Sequence, residues 1–570
     1  MKNFGKNTLF IRIFAATYKK KSMKKTVLLF LALLASVIAH AQIATNIYWI
    51  QFTDKNDSPY SLDAPEAYLS QRALDRRARL GIEIDEYDIP VNPQYLQAVA
   101  DCGAELLNPS KWLNGVSVYT ESPAVIVAIN ALPFVETVRN CPDDPEAQRL
   151  KESLMEKEMA SAEDVGVTRG YYGESFMQIS QLNANVLHQN GFQGEGMVIA
   201  ILDGGFLGAD LHPCFDNMRE EGRLLGTRDF VYGCDNVYSQ SQHGTSCLST
   251  MAAYVPNTFV GTAPKASYYL LHTENALSEN IVEEYNWVSG AEYADSLGVD
   301  VCSTSLGYID FDMQEWNHPF SHYDGHTAPM SIGAEIAASR GMICLNSAGN
   351  EGESYNGECT LGIPADAEHI LSIGAVDANG ERTYFSSVGP TYDGRIKPDL
   401  MAMGQATYVA SSDGGYYHGG GTSFSCPVMA GAVTCLRQAF PDLSVQDFCD
   451  VLRQVGNRAN NPDIYYGYGI PDFAAAFEML HVEDTFSQKN EIIDVYPNPS
   501  NGNVHFRMKE GYQAEIIVCD VTGRHLMSYH FNGLNHTSIE LFINGLDSGI
   551  YFVRAESEVG SQTVKLVLAR

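Results

Sequence analysis

Five short and almost uninterrupted apolar runs constrain the fold of this chain more than any other feature. The runs are Val198–Leu202, Tyr268–Leu271, Val299–Cys302, Gly341–Leu345 and Ile370–Ala375. A strand with one face in water alternates apolar and polar residues, so a continuous apolar run indicates a strand buried on both faces. Stretches with helical periodicity separate the runs. Residues 174–480 are therefore predicted to form an α/β domain, with a parallel sheet flanked by helices.

Composition excludes some functions and indicates several domains. The 570 residues exceed the usual length of one domain, and the hydrophobic share of 45% is that of a globular protein. The formal net charge of −32 argues against a nucleic acid partner, because phosphate binding needs a clustered basic surface.

The amino terminus has the pattern of a secretory signal peptide. Lys24 and Lys25 precede an apolar run from Val27 to Ile38, and the small-x-small sequence Ala39-His40-Ala41 follows. Residues 1–41 are assigned to this signal, with Met23 as an alternative start. A membrane anchor is the other interpretation, but a span needs about 20 apolar residues, and no second candidate follows. In an exported chain, disulfides among the twelve cysteines are plausible, with the connectivity left open. The nine cysteines between Cys214 and Cys449 are an odd number, which predicts at least one free thiol in the central domain.

Smaller blocks flank the α/β domain. Residues 42–141 are predicted to be a small α+β domain with strands at Val116–Tyr119 and Val135–Val138 and a helix at Pro123–Leu132. Residues 142–173 and 481–490 are predicted linkers. Residues 491–570 alternate apolar and polar residues between glycine-containing turns, which predicts an all-β sandwich. Its strands are expected at Glu515–Cys519, Thr537–Phe542, Ile550–Arg554 and Thr563–Val567.

Three widely separated residues have the types and positions needed for nucleophilic catalysis. Asp203 ends a buried strand, His243 begins a helix, and Ser423 follows a run of glycines at the start of another helix. A serine hydroxyl needs a histidine to accept its proton, and a buried carboxylate must hold the histidine in the correct tautomer. Asn350 follows another buried strand and is the predicted side-chain donor to an oxyanion.

The sequences around these four residues resemble those of the subtilisin-like serine peptidases. In this chain the four residues occur in the order Asp, His, Asn, Ser, and the triad of that family has the same order, Asp, His, Ser. The resemblance implies a secreted serine endopeptidase with Asp203, His243 and Ser423 as its triad and Asn350 at the oxyanion site. It also implies a peptide-binding cleft, lined by Ser305, Leu306, Gly307, Ser347, Ala348 and Gly349. The alternative is a catalytically dead peptidase fold that serves as an adhesin or surface scaffold.

No cofactor or catalytic metal is predicted. A structural calcium ion is common in the family that the chain resembles, but no loop has a readable calcium-ligand spacing. His318, His322 and His326 are four residues apart, but Pro319 and Gly325 would interrupt a helix that aligned them, so a solvated loop is preferred. Cys426, near the serine, is expected to be a small buried hydrophobe.

Both flanking blocks also resemble known modules. Residues 42–141 resemble subtilase propeptides, which assist folding and cover the cleft until cleaved; an independent binding domain is the alternative. The last block is similar to the type A sorting domain of the type IX secretion system, with a carbohydrate- or surface-binding module as the alternative. The matching strings are Tyr496–Gly502, Asp520–Gly523, Leu546–Tyr551 and Lys565–Leu568. The expected partners are peptide substrates and the secretion machinery, and the expected location is extracellular or at the cell surface.

Overall fold

The computed structural model describes residues 46–141, 170–489 and most of 493–568. The predicted signal peptide, residues 142–169 of the first predicted linker and parts of the strings Tyr496–Gly502, Asp520–Gly523 and Leu546–Tyr551 lie outside these residues. The chain divides after Ala474 into two compact units, and helix α12 (Phe473–Lys489) runs across this division. None of the described helices is long and apolar enough to cross a membrane.

The first domain, residues 46–141, is an antiparallel sheet covered by helices. Its strand order is β2-β3-β1-β4, and the predicted strands near Val116 and Val135 are both present. The strands are β1 Ile47–Phe52, β2 Glu105–Ser110, β3 Gly115–Tyr119 and β4 Val135–Cys141. The helices are α1 Gln71–Leu80, α2 Pro93–Asp101 and α3 Pro123–Asn130. Prolines in the first turn of α2 and α3 fit the helix start, where no intrahelical N–H bond is lost.

The central domain contains a seven-stranded, entirely parallel sheet of order β13-β12-β11-β10-β5-β9-β6. Its strands are β5 Val198–Asp203, β6 Leu224–Asp229, β9 Ser267–His272, β10 Val301–Thr304, β11 Ile343–Ser347, β12 Leu371–Val376 and β13 Leu400–Met403. All five apolar runs fall in this sheet, and every residue of β5, β10, β11 and β12 is buried. The strand order reverses at β5, the position where open parallel sheets form a crevice.

Helices and two small hairpins complete this domain. The helices are α4 Phe176–Ser180, α5 Asn185–Gln189, α6 Asp216–Glu220, α7 His243–Ala252, α8 Val282–Ser296, α9 Pro329–Ser339, α10 Thr422–Ala439 and α11 Val445–Gln454. The hairpins pair β7 (Tyr254–Val255) with β8 (Phe259–Val260) and β14 (Gln405–Ala410) with β15 (Tyr416–Gly420). Helix α10 is buried along most of its length, so its first turn is held firmly beneath the crevice.

The first domain docks on helix α8 of the central domain through buried charges. Asp295 is fully buried and accepts hydrogen bonds from Arg76 at 2.5 Å and from Arg77 at 3.0 Å, and Lys111 lies 3.4 Å away. Nearby, Glu292 accepts hydrogen bonds from the backbone N–H groups of Lys111 and Trp112. Charged groups at this interface therefore pair with each other in place of water.

The second unit is all-β apart from the end of α12. One sheet has the order β16-β17-β20 and the other β19-β18-β21-β22, with antiparallel pairing throughout. The strands are β16 Ile493–Tyr496, β17 Asn503–Met508, β18 Gln513–Cys519, β19 His525–Asn532, β20 Ser538–Phe542, β21 Gly549–Ser557 and β22 Gly560–Leu568. Buried residues of both sheets form one core, which includes Phe506, Ile516 and Val553.

Two predictions need correction, and the structure adds a detail to a third. All twelve cysteines are free thiols, including Cys302 and Cys344, which are neighbours in the register of β10 and β11. Most of the twelve are buried and act as small apolar side chains. The predicted linker at 481–490 is helical up to Lys489. The histidine loop is not fully solvated, since the side chain of His318 is 4% exposed and lies 2.5 Å from a carboxylate oxygen of Glu284.

Candidate active site

Asp203 and His243 form a hydrogen-bonded pair at the carboxyl end of the parallel sheet. Asp203 is the last residue of β5 and is fully buried, and His243 is the first residue of α7. The Nδ1 atom of His243 lies 2.8 Å from Oδ1 of Asp203, and the backbone N–H of Gly204 donates to the same oxygen. This contact fixes the ring orientation and the tautomer, with Nδ1 protonated and Nε2 available to accept a proton.

The carboxylate also controls the titration of the ring. Burial opposes the charged imidazolium, but the negative charge of Asp203 outweighs burial, so the pKa of His243 lies well above its ordinary value. The imidazole is 21% exposed and faces the cleft. A ring with these properties is a strong proton acceptor once the pH is high enough for it to be neutral.

Ser423 lies in the first turn of α10, on the floor of the same cleft. Its side chain is mostly buried, and its hydroxyl donates to the carbonyl oxygen of Ser305 in a long contact of 3.5 Å. In return, the hydroxyl of Ser305 donates to the carbonyl oxygen of Ser423 at 2.8 Å. Gly421, just before the helix, has a φ of +152°, which a residue with a side chain would rarely adopt.

The amide of Asn350 is oriented by its neighbour Thr422. Both the backbone N–H and the hydroxyl of Thr422 donate to Oδ1 of Asn350, at 2.9 and 3.0 Å. With its oxygen held in this way, the side chain presents the Nδ2 donor to the cleft that it lines. A donor fixed near the amino terminus of α10 is suited to stabilise negative charge.

Two loops that follow β10 and β11 form walls of the cleft. Five of the six predicted substrate-lining residues are among the described residues that line it: Ser305, Leu306, Gly307, Ser347 and Gly349. Ala348 is the exception, because it is fully buried beneath the wall. Gly349 has a φ of +110°, and a Cβ atom there would lie 2.8 Å from Oγ of Ser387, so the wall has no room for a side chain at this position.

Cys247 belongs to the site, although it was not predicted from the sequence. Its sulfur lies 3.9 Å from Nδ1 of His243 and 3.3 Å from the carbonyl oxygen of Ser423, and burial raises the pKa of this thiol. Cys247 follows His243 by four residues on one helix, and this spacing could have revealed the contact. The orienting role of Thr422 and several acidic residues of the cleft were also not predicted.

Comparison with known proteins places each part of the chain. Residues 194–469 match the subtilase family, residues 47–156 match a peptidase S8 propeptide domain of Bacteroidota, and residues 494–569 match a secretion system C-terminal sorting domain. Subtilisin NAT of Bacillus subtilis subsp. natto is 29% identical over 330 residues, which cover 57% of this chain and 77% of that protein.

Other similar proteins include subtilisin E of Bacillus subtilis, which is 28% identical over 330 residues with the same coverage of both chains. The membrane-bound transcription factor site-1 protease of Rattus norvegicus is 31% identical over 267 residues, which cover 45% of this chain and 22% of that protein. These matches and the sorting domain also indicate an extracellular or cell-surface location. The chain therefore contains a serine endopeptidase domain of the subtilase family, with a peptidase S8 propeptide domain before it and a type IX sorting domain after it.

Proposed function

We propose that the chain hydrolyses peptide bonds through an Asp203–His243–Ser423 triad and a covalent acyl-enzyme. The observation that carries this proposal is the 2.8 Å contact between Asp203 and a histidine that shares one cleft with Ser423 and Asn350. The buried carboxylate, the oriented imidazole and the serine at a helix start are the groups that this chemistry requires.

In the first half of the reaction, the Ser423 hydroxyl turns from the Ser305 carbonyl toward Nε2 of His243. As Oγ attacks the peptide carbonyl carbon, Nε2 accepts the hydroxyl proton. The carbonyl oxygen becomes an oxyanion, to which Nδ2 of Asn350 and the N–H of Ser423 donate hydrogen bonds. His243 then gives its proton to the amide nitrogen, the carbon–nitrogen bond breaks, and the amine leaves an ester on Ser423.

In the second half, water replaces the amine. His243 removes a proton from the water as its oxygen attacks the ester carbon. The same oxyanion donors stabilise the new intermediate, and the proton passes to Oγ of Ser423 as the acid product leaves. Asp203 keeps its charge throughout and stabilises the imidazolium at each transfer.

Active-site labelling tests this mechanism. A fluorophosphonate probe should attach to Ser423 of the processed wild-type protein, with the modified peptide identified by mass spectrometry, and Ser423→Ala should abolish both labelling and peptide hydrolysis. Ser425→Ala is a matched control, because Ser425 is buried in the same helix and its hydroxyl donates to the Thr422 carbonyl. A folded wild type that neither labels nor hydrolyses peptides would favour the scaffold interpretation.

We also propose that the type IX secretion machinery recognises the C-terminal unit for export. The sorting-domain match over residues 494–569 supports this role. Deletion of residues 491–570 should leave the truncated protein in the periplasm, as measured by fractionation and immunoblotting. Normal export combined with lost surface adhesion would instead support a surface-binding module.

A further inference from the structure

The cleft in front of Ser423 is lined by a large excess of acidic over basic side chains among the described residues. It has a volume of about 1290 Å³, and the described residues that line it include carboxylates and one histidine but no lysine or arginine. The carboxylates are Asp203, Glu274, Glu279, Asp310, Asp312, Glu351 and Glu358. The proposed mechanism uses only Asp203. The others lie on the loops that follow β9, β10 and β11, so they surround the space in front of the serine on several sides.

Three glutamates, which we call the acidic cluster, lie especially close together. Carboxylate oxygens of Glu274, Glu279 and Glu283 all lie within 4.8 Å of one another. The cluster borders the proposed triad, because a Cβ atom on Gly204 would lie 3.1 Å from Oε2 of Glu274. Like charges at this separation repel each other, and a cation placed beside them lowers that repulsion.

A buried tyrosine gives a second, independent sign that a ligand binds here. Tyr308 is fully buried, and its hydroxyl has no hydrogen-bond partner within the described part of the chain. Burial raises the pKa of Tyr308, and the charges of Glu283 and Glu274 add to this rise, so the hydroxyl lies within electrostatic reach of the cluster. A buried hydroxyl without a partner costs free energy, and an incoming polar group would relieve that cost.

We propose that the cleft selects peptides with a lysine or arginine on the acyl side of the scissile bond, and that Glu274 and Glu279 determine this specificity. The inference rests on the proposed function, because Ser305–Gly307 is assumed to line the bound peptide. The backbone N–H of Glu279 donates to a carboxylate oxygen of Asp312 at 3.0 Å, so the cluster's loop is joined to the loop that follows Gly307.

The end of the first domain contacts the loop that carries the acidic cluster. The carbonyl oxygen of Cys141, the last residue of β4, accepts a hydrogen bond at 3.3 Å from Asn280, which adjoins Glu279. The first domain therefore ends beside the acidic cluster.

The test compares fluorogenic peptides that differ at one acyl-side position, which carries lysine, norleucine or glutamate, using enzyme matured from the full chain. A scan of the four acyl-side positions should find at least one where lysine exceeds norleucine tenfold or more in kcat/KM, with glutamate below both. Glu279→Gln and Glu274→Gln should each reduce the ratio of lysine to norleucine cleavage to threefold or less, mainly through slower cleavage of the lysine peptide. Glu220→Gln removes an equal charge from an exposed site on α6 and should leave the ratio unchanged.

Fluorophosphonate labelling of each variant separates failure of this inference from failure of the proposed function. If the variants label normally but lysine is not preferred at any position, the inference is wrong and the catalytic assignment stands. The same conclusion follows if the glutamine variants lose calcium-dependent thermal stability without a change in preference, because the cluster would then be a metal site. If no protein labels and no peptide is cleaved, the proposed function and this inference both fail.

Discussion

Asp295→Asn should strongly destabilise the docking of the propeptide domain on the peptidase domain. Burial alone would raise the pKa of Asp295, but Lys111, Arg76 and Arg77 together lower it to about 2. Relative to a starting pKa of 3.8, this shift corresponds to about 2 kcal/mol of docking free energy at neutral pH. Removing the carboxylate also leaves Arg76 buried without its anion, whereas Arg77 keeps Asp88 at 2.7 Å, and the expected total cost is about 3–5 kcal/mol.

Tryptophan fluorescence during urea unfolding provides the assay, with the full chain carrying Ser423→Ala to prevent self-cleavage. The chain has four tryptophans, and three lie at the interface. Trp49 stacks on Tyr285 at 4.2 Å, the backbone N–H of Trp112 donates to Glu292, and Arg139 covers the ring of Trp316. The fourth, Trp287, lies on α8 itself. Separation of the propeptide domain from the peptidase domain should therefore change the tryptophan fluorescence directly.

The pH dependence gives the same experiment a second outcome. Because the pKa of Asp295 is lowered, its contribution is fully present above about pH 4 and is lost as the pH falls toward 2. The Asp295→Asn variant should not show this loss of stability as the pH falls. Asp75→Asn on α1 is the control, because Asp75 is exposed and should change stability by less than about 0.5 kcal/mol. If Asp295→Asn unfolds like the control, the buried ion network does not hold the domains together.

Three further predictions concern the cleft. Asn350→Ala should lower kcat by about 10²–10³ with little change in KM, as steady-state kinetics would show; a loss in KM alone would contradict an oxyanion role. Asp203→Asn should lower kcat by about 10⁴ and move the acidic limb of the kcat/KM profile to lower pH, because Asp203 raises the pKa of His243; an unmoved limb would count against the pair. Gly349→Ala should lower the unfolding free energy by about 1–2 kcal/mol more than Gly357→Ala, since both have a φ of +110° but only Gly349 lacks space; equal losses in denaturant titrations would exclude the clash.

The sequence predicted the central sheet well because its signal is local. Each buried parallel strand is a continuous apolar run, and a residue at its end, such as Asp203 or Asn350, must lie at the carboxyl edge of the sheet. The helix that begins near Ser423 was also predictable, because glycines precede it and an apolar helical stretch follows.

Contacts between distant segments were not predictable in the same way. The acidic cluster depends on how the loop after β9 folds over the cleft, and nothing in Glu274 or Glu279 alone indicates their proximity. The sequence around His318 predicted a solvated loop, but the side chain of His318 is buried against Glu284 on helix α8. The cysteine count did not reveal that all twelve cysteines are free thiols, because a count does not show which thiols meet, and even the neighbouring Cys302 and Cys344 are not bonded to each other.

The residues proposed to break the peptide bond and the residues proposed to recognise the substrate lie on different segments of the central domain. The proposed nucleophile, base and carboxylate are fixed by buried elements, namely β5 and the first turns of α7 and α10. The charges around them belong to loops that leave other strands and can change length or composition without moving those elements. The backbone N–H of Thr273, the first residue of the loop between β9 and α8, donates to the carbonyl oxygen of Asp203 and would have to be kept. Exchange of the rest of this loop should then alter selectivity while the proposed nucleophile and base stay in place, which makes this chain a suitable scaffold for loop grafting.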